Sequence, residues 1–157
     1  MTLRAETGAP LLDCRAALEE AHGDLARARE FLVQRGKVLA GEKAGRTAGQ
    51  GTIGVYVHHD GRAAALVLLR CETDFVAENP VFRSLASELA MHVVAMRPTV
   101  VRPEETPAGS EPAQAALLAQ PFIQDPSGKS TVGDRIAAKV LELGENIVVE
   151  KFIRFSF

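Results

Sequence analysis

A chain of 157 residues with a formal net charge of −2 has room for one core of ordinary size and a small appendage, but not for two full domains. Lysine and arginine are spread along it rather than massed, which argues against direct nucleic-acid binding, since phosphate backbones call for a broad basic field. No apolar run nears the roughly 20 residues of a membrane span, and no charged start leads into an apolar stretch at the N-terminus. The expected location is therefore the cytoplasm, with no membrane partner.

The first 36 residues hold two short helical patterns, with room before Gly8 for a first helix of about two turns at most. In APLLDCRAALEEAHG, Pro10 suits a first helical position, Leu11, Cys14, Leu18 and Ala21 recur at helical spacing, and Gly23 can take a left-handed cap. Asp24 then offers an N-cap to a helix striped by Leu25, Ala28, Phe31 and Leu32, which Gly36 is expected to end. Such a unit is too small for much stability alone, so its leucines must find each other or a partner. Residues 37–50 read as a flexible linker whose first residues can still be helical, because KVLAGEKAGRTAGQG, residues 37–51, carries four glycines and no sustained period.

The core takes residues 51–157. TIGVYVHH alternates like a strand, and Asp60-Gly61 supplies a hairpin turn that pairs Val57 with Ala64, Val55 with Leu66 and Ile53 with Leu68. These six form the apolar sheet face. The opposite face, with Ala65, Val67 and Leu69 beside Tyr56 and His58, is more apolar than solvent requires and invites cover, from the chain itself or from a partner. Asn79-Pro80 opens a helix with Phe82, Leu85, Leu89, Val93 and Met96 on one stripe, stopped by Pro98 and expected to roof the sheet. Residues 98–112, with four prolines, read as an extended loop, and a brief helix is expected over 113–120. Thr131 can cap a helix facing inward through Val132, Ile136, Val140 and Leu143 and closed by Gly144. NIVVEKFIRFSF finishes as a strand, expected to be paired because a bare aromatic edge invites aggregation.

Four features bear on chemistry. Cys14 and Cys71 belong to no CxxC pair and read as two buried free thiols. SGKST at 127–131 looks like the end of a phosphate-binding loop, but the glycine needed five residues before Gly128 is Ile123. Glu72 and Asp74 are spaced as paired acids, with no second pair nearby, and read as a solvated turn. His58 and His59, taken as adjacent strand residues, point to opposite faces and cannot share a metal, and His92 reads as a satisfied core histidine.

The stretch CETDFVAENP is harder to explain by folding alone, since it places Phe75 in a turn where burying the ring is difficult. Taken with TGAPLLDCRAALEEAHGDLARAREFLVQRG, YVHHDGR, LAMHVVAMRP, QPFIQDPS and GENIVVEKFIRF, in that order, it resembles the elongation factor Ts family, nucleotide exchange factors of the translation factor Tu. The resemblance covers most of the chain. It implies an α+β fold: a three-helix domain of the ubiquitin-associated type over 1–36, then a core whose three-stranded antiparallel sheet is backed by helices. It also implies a protein that is not an enzyme, uses no cofactor or metal, and has elongation factor Tu as its partner. Such a protein speeds GDP release by disturbing the Mg2+ and phosphate site, so that GTP can reload. Thr73, Asp74, Phe75 and Val76 are then the residues that dislodge Mg2+, while Leu11, Leu12 and His58 are candidate contacts to Tu. The sequence departs from the family at Pro10, usually glycine, at Leu11 and Leu12, commonly methionines, in a clipped first helix, and in less helix between Pro98 and Gln120. Long members carry a duplicated core; a single copy leaves a homodimer through the core sheet and C-terminal strand as the expected assembly. A plain binding module for a ubiquitin-like fold would leave the TDFV block without a role.

Overall fold

The computed structural model describes residues 2–157. Three helices lead: α1 (Thr2–Thr7), α2 (Leu11–Glu20) and α3 (Leu25–Lys43). Strands β1 (Gln50–Val57) and β2 (Ala63–Cys71) follow, then α4 (Asp74–Glu78), α5 (Pro80–Met96), a short α6 (Pro112–Ala115), α7 (Val132–Leu143) and strand β3 (Val148–Ser156). The architecture is α+β, with an antiparallel sheet in the order β1-β2-β3. None of the helices is long and apolar enough to cross a membrane, among the described residues.

The expected caps are in place. Asp24 Oδ1 accepts the Ala26 and Arg27 N–H groups, Asn79 Oδ1 accepts Val81 N–H, and Thr131 and Asp134 cap each other's backbone reciprocally. Pro10 stands just before α2, at its N-cap, rather than inside it. Gly36 does not end its helix. It lies buried within α3, and a Cβ there would stand 3.0 Å from the Ala137 carbonyl oxygen, so the glycine serves close helix approach instead of a left-handed stop. The linker is correspondingly shorter than 37–50, since α3 runs to Lys43. The inner stripe of α3 is Ala28, Leu32 and Gly36, while Leu25 and Phe31 are exposed.

Hairpin register agrees with the turn: Val57 pairs with Ala64, Val55 with Leu66 and Ile53 with Leu68. The faces are the reverse of expectation. Ala65, Val67 and Leu69 form the core under α5, and Ile53, Val55, Val57 and Leu66 are exposed. The cause is Gly54, on the same face as Ala65 and Val67, where a side chain would collide with the Ala86 backbone; its absence lets α5 lie directly on the sheet. Along β3, a bulge opposite Leu68/Leu69 shifts the alternation, so Val149 points inward before Glu150, and Phe152 rather than Ile153 packs inward after it. Between Pro98 and Gln120 the loop holds single 3-10 turns at Pro103–Glu105 and Leu117–Ala119, and the brief helix is only Pro112–Ala115.

Two apolar clusters result. The larger joins the sheet to α5, Leu117, Phe122 and the Val132, Ile136 and Val140 face of α7. The smaller joins Leu3, Cys14, Ala17, Ala28 and Leu32 to Leu141, also on α7. Helix α7 is thus shared, and Lys37–Asp134 (3.1 Å) and Arg135–Glu88 (3.0 Å) ion pairs tie it to α3 and α5.

Candidate functional site

The chain leaves β2 at buried Cys71, whose Sγ donates to the Thr73 carbonyl at 3.2 Å. Burial pushes this thiol up to about 11, with the Glu145 carboxylate adding to the shift, so it is protonated and unreactive near neutrality. Thr73 is extended, and its Oγ1 accepts the Val76 N–H, making it the cap of α4. Asn79 N–H donates to the Val76 carbonyl at 3.0 Å, and Pro80 begins α5 at once. The tip is therefore capped at both ends within seven residues, 73–79.

Within it, Val76 packs against the larger core and Ala77 is buried, whereas Phe75 is 85% exposed. Asp74 points to solvent and accepts its neighbour's N–H, Phe75 N, at 2.9 Å. Phe75 is accordingly not folded back on the hairpin.

Sequence reading missed the brace beneath this tip. Glu145 Oε2 accepts the N–H groups of Glu72 (3.0 Å) and Thr73 (3.1 Å), and its Oε1 accepts the Thr73 hydroxyl at 2.6 Å. In return Glu72 Oε1 accepts Asn146 N–H at 2.8 Å, while Asn146 Nδ2 donates to the Arg46 carbonyl at 2.9 Å. Glu72 and Asp74 are thus no acid pair on one cleft, and Glu72 is no freely solvated turn residue: it faces inward to Asn146 and Arg46, and Asp74 faces out. The only local hint of the brace was a carboxylate and an amide directly after a helix-closing glycine.

The other candidates lie apart. Leu12 is 79% exposed and Leu11 is also exposed, at the start of α2. His58 is half-buried beside the hairpin turn, its Nδ1 3.1 Å from the Tyr56 hydroxyl. Strand β2 separates that turn from the tip by roughly 26 Å, at about 3.3 Å per residue. His58 and His59 follow the end of β1, and their rings meet edge-on at 4.3 Å rather than facing opposite ways. No group of three His, Cys, Asp or Glu side chains fit for a metal occurs among the described residues. In the SGKST loop, Asp125 occupies the place an anion would take: its carboxylate accepts the N–H groups of Ser127, Lys129 and Ser130 and both serine hydroxyls. Those bonds, the Ser130 hydroxyl's first, hold its carboxyl far below the usual range. A cleft of about 800 Å3 lies between α3, α7 and the 122–130 loop, and no residue of the tip lines it.

The geometry is therefore a braced projection rather than an enclosing pocket. A family model described as Elongation factor TS matches residues 42–112, the segment that holds the tip. Over 98% of its length the chain is 38% identical to elongation factor Ts of Carboxydothermus hydrogenoformans, covering 85% of that protein, and 38% identical to that of Rubrobacter xylanophilus, covering 94%. It is 39% identical to that of Moorella thermoacetica, covering 91%. These alignments run over 186 positions, more than the 157 residues here, so the relatives carry further residues inside the matched span. With 38–39% identity over alignments that span 98% of its length, the chain belongs to the elongation factor Ts family.

Proposed function

We propose that this translation elongation factor binds elongation factor Tu carrying GDP and speeds GDP release, without itself catalysing a chemical reaction. The observation that carries the reading is Phe75, a large apolar ring 85% exposed on a tip whose backbone is capped at both ends. A ring so displayed is ready to enter another molecule. Mg2+ demands near-ideal octahedral oxygen geometry, so an ångström-scale shift of the elements around it weakens the hold on metal and nucleotide together. Thr73 and Val76 fix the tip, Phe75 wedges, and Asp74 meets the partner's polar groups.

Magnitudes require more than the wedge. A ten-thousandfold faster release corresponds to about 5.5 kcal/mol off the barrier, and burying one phenylalanine returns only about 1.5–3 kcal/mol. The remainder comes from a wide interface, to which exposed Leu11 and Leu12 and the His58 corner belong. By linkage, GDP weakens the factor's grip on Tu as much as the factor weakens that of GDP.

The reading places the protein in the cytoplasm with no nucleic-acid partner, and gives it a second copy of itself as a further partner. Three apolar or half-apolar rows, Val57–Ala64–Phe155, Val55–Leu66–Ile153 and Ile53–Leu68–Lys151, cross the open sheet face in register. Two such faces can pack as a sandwich about 10 Å apart. The deciding experiment is release of fluorescent GDP from purified Tu. The wild-type chain is expected to accelerate it, and Phe75→Ala to lose at least tenfold of that acceleration while keeping measurable binding to Tu. Full activity in Phe75→Ala refutes the wedge.

A further inference from the structure

We infer that Glu145 is the positioning residue for Phe75, holding the wedge through Thr73 so that contact with the partner displaces the partner and not the tip. This rests on the exchange-factor reading, and its geometric half can be tested without it. Helix α4 has five residues, too few to hold a helical turn by its own hydrogen bonds. Its direction therefore depends on its cap, and the cap depends on Glu145. A threonine hydroxyl has one proton; by taking it at 2.6 Å, Glu145 Oε1 leaves the Thr73 lone pairs for the Val76 N–H. The other oxygen takes the Glu72 and Thr73 N–H groups, which stops the turn from rotating about the end of β2.

Glu145 in turn is anchored. It follows Gly144, whose left-handed backbone closes α7, and α7 is gripped by both apolar clusters. Asn146, next in the chain, is buried and bound to Glu72 and to the carbonyl of Arg46. A load on Phe75 therefore passes through Thr73 and Glu145 into a helix that both apolar clusters hold. The expected signature is a lower maximal rate of exchange rather than weaker binding, because the partner surface itself is untouched.

Glu145→Gln is the test, since the amide keeps the shape but has one acceptor oxygen for two sets of donors. In the free protein, amide hydrogen exchange at Thr73 and Val76 is expected to quicken at least tenfold in Glu145→Gln while the α5 amides stay protected. Unchanged exchange at Thr73 and Val76 overturns the brace, whatever Tu does. In GDP release from Tu, titrated with factor to saturation, Glu145→Gln is expected to lower the maximal rate about tenfold and shift the half-saturating concentration less than twofold. A shift confined to half-saturation overturns the positioning role. In a Phe75→Ala background Glu145→Gln is expected to cost nothing further, and losses that multiply would show Glu145 acting elsewhere. Failure of the wild-type chain to accelerate release at all would instead overturn the exchange reading, leaving the hydrogen-exchange result to judge the brace.

Discussion

Phe75 and Val76 are chain neighbours with opposite surroundings, one in solvent and one on the core. A helix turns about 100° per residue, so a single capped turn is enough to separate them. His92 shows the same dependence on particular partners. Its Nε2–H donates to Gln120 Oε1 at 2.9 Å and its Nδ1 accepts the Ile123 N–H at 3.3 Å, which commits both ring nitrogens to one neutral tautomer. Gln120, itself buried, returns its amide protons to the Met96 and Gln114 carbonyls. Burial holds the His92 pKa below that of an ordinary imidazole, the Gln120 bond only partly offsetting it. As pH falls below about 6.5, the unfolded chain takes up this proton before the folded one does. Stability from this group is complete above that value and declines on acidification. Urea midpoints are expected to fall from pH 7.5 to 5.5, with a shallower slope in His92→Leu despite its lower stability at pH 7.5. An equal slope in both proteins contradicts the assignment.

Among the elements, β1 and α5 are matched through an absence. Gly54 is the point where the sheet admits the helix, and Gly54→Ala drives a methyl into the Ala86 backbone. Overpacking of this kind costs about 1–3 kcal/mol, to be read as a lowered urea midpoint; an unchanged midpoint would mean α5 can lift without loss. The same residue explains what was legible in advance. Hairpin register followed from Asp60-Gly61 because turn geometry is local and sets every pair behind it. The buried face did not follow, because both faces of the hairpin are apolar and the deciding contact is with residue 86, thirty-odd positions on. Caps at Asp24, Asn79 and Thr131 were readable for the same local reason, and Phe75 stood out because no folding role suited it. Glu145 was not readable: its bonds to Thr73 span 72 residues and no periodicity marks them.

For the whole molecule, the open sheet face is the feature that solvent alone does not account for. Phe155 is 64% exposed and Val57 60%, paired in register through Ala64 at the hairpin end. Contiguous exposed apolar patches of this kind are where proteins meet partners, and the proposed partner here is a second copy. Sedimentation equilibrium is expected to give a dimer, and Leu66→Lys, at the centre of the face, a monomer with the same helix content. A wild-type monomer at all concentrations would return the face to another partner.

Helix α7 also fixes how the molecule comes apart. Its Leu141 side closes the N-terminal cluster and its Ile136 side the sheet cluster, so prying the head loose strips a wall from the body. Heating should give one calorimetric peak instead of two, and the angle between head and wedge should persist until the entire protein melts. A partner gripping both would meet a caliper with a frozen joint.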